Sequence, residues 1–134
     1  MTKTTLKQIV YEVNGAAIEV HKALGPGLLE SVYHSCMAEE LSTRNISFIS
    51  EMIVPVHYKG LKIDTDLKAD MFVEDCLVLE FKAVEKIIPV YEAQIMTYMR
   101  LLRSPMGLLI NFNCHNIYRE GQKTYVNEFY QQLA

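Results

Sequence analysis

Leu6, Ile9, Val10, Val13, Ala17, Val20 and Leu24 recur at spacings of three and four, which predicts an amphipathic helix from about Thr5 to Ala23. Gly25-Pro26-Gly27 ends that pattern. A second helix is expected from about Leu29 to Arg44, burying Val32, Cys36 and Leu41. The period then changes. Ile46 to Tyr58 reads as a strand in which Pro55 marks an edge or a bulge, Lys59-Gly60 reads as a turn, and the residues from Leu61 to Val73 continue a meander. In its last part Leu67, Ala69, Met71 and Val73 alternate with Lys68, Asp70, Phe72 and Glu74. Glu74-Asp75 suits a tight turn into a strand from Cys76 to Ala83. After Pro89 a third helix to about Leu102 turns Ile95, Met99 and Leu102 inward, and Ser104-Pro105 closes it. Met106 to Phe112 is a short apolar run suited to a buried strand. Asn116 to Val126 is expected to form a hairpin around Glu120-Gly121, and Asn127 to Leu133 a terminal helix.

Two charges interrupt the most apolar of these strands. Glu80 and Lys82 stand in Cys76-Leu-Val-Leu-Glu-Phe-Lys-Ala-Val84, where charge needs a partner or a task. Alternation puts both on one face, about 6–7 Å apart, with Phe81 on the other. The Glu74-Asp75 turn can bring Asp70 beside Glu80. Two carboxylates and an ammonium group suit metal-assisted phosphodiester cleavage. Mg²⁺ takes a few carboxylate oxygens, and an adjacent lysine can orient water or offset phosphate charge. By itself the spacing is common, and solvated strand salt pairs are the simpler reading.

Length and composition bound the possibilities. A chain of 134 residues, 50% hydrophobic and 22% charged, reads as a single domain over residues 1–134. It has no apolar run long enough to cross a bilayer and no signal-peptide core, so no membrane association is expected and a cytoplasmic location is the default. Cys36, Cys76 and Cys114 are too widely spaced for a zinc knuckle and, being odd in number, do not suggest a disulfide framework; they read as core residues. The formal charge of −3 argues against an extended nonspecific grip on nucleic acid. Nothing in the sequence indicates a protein partner or homo-oligomer.

Gly27-Leu-Leu-Glu30-Ser-Val-Tyr33 resembles the defining motif of the GxxExxY proteins, a family grouped with the PD-(D/E)XK nuclease superfamily. The segments from Ala17 to Gly27, Lys68-Ala-Asp70, Glu80-Phe-Lys-Ala-Val-Glu85, Glu92-Ala-Gln94 with Tyr98, and Gly107 to Asn113 are similar to that family's blocks, in its order. The resemblance implies an α/β fold of the nuclease-like kind: helix, strands, helix, strand, with a central mixed sheet flanked by helices. It makes Asp70 the aspartate of the superfamily motif and Glu80 and Lys82 its (D/E)XK element. Glu30 becomes the first-helix acid and a third metal ligand, and Gln94 a polar catalytic residue on the helix after the catalytic strand. Ala69 stands where the superfamily has proline and Lys68 where this family usually has arginine; neither is a ligand. Mg²⁺ or Mn²⁺ is the implied cofactor and DNA or RNA the implied partner.

Simpler readings stand beside these. Glu30 begins a helix, where a carboxylate suits the dipole. Gln94 and Tyr98, four apart, can share a solvated face or together meet a metal-bound water or phosphate. Tyr33 reads as a core aromatic with its hydroxyl satisfied, or as a base-stacking contact. His21 reads as a helix C-terminal residue, or as a substrate contact. His34, His57 and His115 lack zinc-ligand spacing. Two functions follow: a metal-dependent nuclease, or a non-catalytic protein-interaction module that keeps the nuclease fold with its charges as a structural salt-bridge network.

Overall fold

A computed structural model describes residues 1–134. The long helix α1 (Lys3–Leu24) starts where the Thr2 hydroxyl accepts the Thr5 N–H, and stops at Gly25, whose φ of 68° other residues rarely adopt. Helix α2 (Glu30–Thr43) follows the Gly-Pro-Gly turn. Strands β1 (Phe48–Ile53), β4 (Lys68–Val73), β5 (Leu77–Lys82), β6 (Met106–Asn111) and β7 (Gln122–Val126) form one sheet in that order. All its pairs are antiparallel except β5 with β6, which α3 (Pro89–Leu101) joins as a crossover. The architecture is a mixed α/β fold, a central sheet flanked by helices.

Three expectations fail in instructive ways. The first strand does not run from Ile46 to Tyr58. It ends at Ile53, and β2 (Val56–Tyr58) pairs with β3 (Leu61–Ile63) in a hairpin outside the main sheet. Pro55, which has no N–H to give a ladder, stands at the break. No hairpin forms around Glu120-Gly121. Residues Ile117–Gly121 make one π-helical turn instead, held by Glu120 Oε1, which accepts from the N–H groups of His115 and Asn116. Gly121 is required there, because a Cβ would lie 2.7 Å from Cys114 Sγ and 2.8 Å from the Asn111 carbonyl oxygen. The terminal helix α4 is only the single turn Glu128–Gln131.

Alternation along the strands assigns two cores. Met71, Val73, Leu77, Leu79 and Phe81 face α1 and α2, where Tyr33 stacks on Phe112 with centroids 4.4 Å apart. Phe72, Val78 and Leu109 face α3, against Ile95, Tyr98 and Met99. The cysteines are free; Cys76 is buried and the other two half-buried. Val32, expected inside, is exposed, and Tyr33 and Met37 line the core side of α2 instead.

Candidate active site

Glu74 and Asp75 have φ of 50° and 54°, and the Cys76 N–H donates to the Val73 carbonyl, so the chain reverses in a tight turn between β4 and β5. That turn sets the register: Met71 pairs with Leu79, and one step further Asp70 lies across from Glu80. The two acids are fastened to each other's strands. Glu80 Oε2 accepts the Asp70 N–H at 3.2 Å, and Asp70 Oδ2 accepts the Phe81 N–H at 2.8 Å. Because each carboxylate is anchored through one oxygen to rigid backbone, neither is free to rotate away. Glu80 is only 5% exposed. Burial first, then hydrogen bonding with and charge on Asp70, hold its carboxyl well above the usual range, and Lys82 only partly opposes this. The pair therefore favours a shared proton or a cation between its oxygens.

Lys82 lies two residues on. Its ammonium sits 4.4 Å from the centroid of the Tyr91 ring, at the start of α3, and none of the three ion pairs of the chain involves Lys82, Asp70 or Glu80. Gln94 is exposed on α3, one turn before Tyr98. Tyr98 is buried, and desolvation, then the Glu80 and Asp70 charges, push its hydroxyl pKa up, with Gln94 only partly opposing them. Tyr98 thus feels both carboxylate charges from the α3 side, and Gln94 lies one turn before it on the helix.

Glu30 approaches from the opposite face, at the first turn of α2. It lines a cavity of about 260 Å³ with Ser31, His34, Ser35, Glu51, Asp70 and Phe81. Glu51, at φ 52°, is unpaired between Ser50–Met71 and Met52–Ala69, directly across from Asp70, and both line this cavity. Glu30 and Asp70 share this cavity, but no group of three or more His, Cys, Asp or Glu side chains is arranged to hold a metal ion. Asp70 links the two sides: it lies across from Glu80 and also lines the cavity that holds Glu30.

Tyr33 is wholly buried. Its hydroxyl donates to the Gly25 carbonyl at 2.6 Å and accepts the Leu28 N–H at 3.2 Å, which removes it from any contact with substrate. The spacing of Gly27, Glu30 and Tyr33 has a plain mechanical sense here: the tyrosine pins the glycine turn, and the turn delivers Glu30 to the cavity. His21 also has a structural role, with Nε2 donating to the Cys114 carbonyl at 2.9 Å.

The sequence did not reveal three neighbours of the site. Tyr91 under Lys82 carries no local signal. The strain at Glu51 is invisible to strand periodicity. His34, whose Nε2 is 3.1 Å from Ser50 Oγ and whose ring meets Phe81 edge-on, was legible as the residue one turn after Glu30.

A family model for the PD-(D/E)XK nuclease superfamily matches residues 7–124, from the first turns of α1 into β7. The chain belongs to the PD-(D/E)XK nuclease superfamily. Members of that superfamily are often, though not always, catalytic, and often bind divalent metal ions. No curated protein and no solved structure matches the chain. No helix is long and apolar enough to cross a membrane.

Proposed function

We propose that this PD-(D/E)XK superfamily member is a metal-dependent nuclease that hydrolyses phosphodiesters of DNA or RNA. The observation that carries the reading is the reciprocal anchoring of Asp70 and Glu80, which holds two acids together at a buried position where they destabilise one another unless a cation or proton intervenes. The donor set fits Mg²⁺ or Mn²⁺, which are commonly held by one or two carboxylates with water and substrate phosphate completing the shell. Asp70 and Glu80 would hold the ion, which supplies charge neutralisation at the phosphate and a more acidic water.

The remaining residues act directly. Lys82, free of any carboxylate partner, orients the attacking water or offsets the charge that builds on the phosphate oxygens. Glu30 accepts hydrogen bonds from water in the cavity it shares with Asp70, and Gln94 does so from the α3 side. Water adds to phosphorus as the bond to the leaving oxygen breaks; the nucleophile's proton passes to solvent, and the leaving alkoxide takes a proton from solvent to depart as the alcohol. An interaction module that uses these charges as an ion-pair network gains no support, since Lys82 pairs with a ring and not with an acid.

The test is cleavage. Purified protein should cut some DNA or RNA in Mg²⁺ or Mn²⁺ at low salt and stop in EDTA, and Asp70→Ala should be inert. Absence of metal-dependent cleavage across a broad panel of nucleic acids, or equal cleavage by Asp70→Ala, overturns it.

A further inference from the structure

The β2–β3 hairpin pairs only with itself, and it leaves the sheet between β1 and β4 at the end where Ile53 meets Lys68, two residues before Asp70. Its pairing, Val56 with Ile63, His57 with Lys62 and Tyr58 with Leu61, separates an apolar face from a basic one. The apolar face is left open to solvent, with Tyr58 61% and Leu61 69% exposed. Lys59 occupies the turn with its ammonium 5.4 Å from the Tyr58 ring centroid. Between Val54 and Ile63 there is no acid, in a chain whose formal charge is −3, and exposed Lys68 extends the basic surface to the arm's base. Asp64 and Asp66 in the returning loop confine the positive charge to the arm.

We infer that this hairpin is an arm that grips single-stranded nucleic acid and leads it to the Asp70 end of the sheet, a statement that rests on the nuclease reading for its choice of partner. Lys62 and His57 on one face and Lys59 at the tip match a phosphate backbone that crosses the tip, and Tyr58, exposed on the other face beside Lys59, offers a ring on which an unpaired base stacks; a duplex keeps its base faces covered. A second copy of the chain docked on the apolar face would leave unexplained why every charge on the arm is positive and why the arm stands beside the acid pair. The arm also answers where an acidic protein holds a polyanion: on one local feature, not on its overall field.

Fluorescence anisotropy with labelled single-stranded DNA, single-stranded RNA and duplex DNA, in EDTA, on the full chain carrying Asp70→Asn, tests this. Adding Lys59→Glu and Lys62→Glu should weaken single-strand binding by roughly tenfold or more and flatten the log–log salt dependence by about 1.4, the value for two lost phosphate contacts. Tyr58→Ala should weaken binding by roughly fivefold or more without changing the salt slope. Unchanged melting temperatures confirm that the arm variants fold, and comparison of the DNA and RNA arms reports which sugar is preferred. The inference is overturned if no single strand binds at low salt, if the variants bind like their parent, or if sedimentation shows a dimer that Leu61→Glu dissolves. If the binding pattern holds while the wild type cleaves nothing, the nuclease reading fails and the arm stands; if the wild type cleaves, the arm variants bind like their parent, and the same arm substitutions made in the chain that keeps Asp70 cleave as well as wild type, only the arm fails.

Discussion

The Lys82 ammonium lies over the face of the Tyr91 ring, 4.4 Å from its centroid, and not against the carboxylate of Glu80 two residues before it on the same strand face. A lysine held by a ring keeps its charge available to substrate, whereas one paired with a carboxylate would be neutralised. Lys82→Ala should therefore lose about 10²–10³ of turnover while keeping metal-induced stabilisation, because the residue acts on the reacting phosphate and not on the ion. Tyr91→Phe should behave as wild type and Tyr91→Ala should lower kcat more than it changes KM. Single-turnover kinetics beside a thermal melt reads both quantities.

Millimolar Mg²⁺ or Mn²⁺ should raise the melting temperature, since ligands that bind only the folded state stabilise it by mass action. Asp70→Asn should abolish the metal effect, and should raise the metal-free melting temperature only at a pH high enough for Glu80 to lose its proton, where the two charges face one another. A wild-type melt that does not move across the titration would remove the cation from this site.

The Glu80 proton makes a second, independent statement. Its folded pKa lies above the ordinary value of 4.5, so the folded state keeps a proton that the unfolded chain has released. Metal-free stability should accordingly fall as pH rises above that value, by at most about 1.4 kcal/mol per pH unit. Glu80→Gln should flatten this slope and gain stability at pH 8. Urea titrations at several pH values give the slope, and an equally steep fall in Glu80→Gln would assign it to other groups.

Tyr33→Phe removes the partner of both the Gly25 carbonyl and the Leu28 N–H. Orphaning these groups should cost about 1–3 kcal/mol by urea denaturation. Because the turn carries Glu30, the variant should also lose activity if Glu30 serves the reaction.

Gly107→Ala tests the contact of β6 with α3. An added Cβ would lie 2.7 Å from Met99 Sδ and 3.0 Å from Ile95 Cδ1, so packing must shift at a cost of about 1–3 kcal/mol. A melting temperature equal to wild type would mean that the Met99 and Ile95 side chains yield to the new methyl without cost.

Periodicity and turn chemistry alone determined the three main helices, the apolar strands β5 and β6, and the placement of Asp70 opposite Glu80. Each is a relation inside one element or across a tight turn, where the backbone's own repeat dictates which side chains share a face. The detached β2–β3 hairpin, the π-helical turn before β7 and the unpaired Glu51 were decided by tertiary structure, as were the Tyr91 ring under Lys82 and the meeting of Glu30 with Asp70 in one cavity. These depend on how elements distant in the chain pack, and packing is governed by the shapes that meet at an interface: a missing N–H at Pro55, a carbonyl too close to position 121 for a side chain, two helices on opposite faces of one sheet. The pattern of residues could name the acids. Only the layers could say which of them meet.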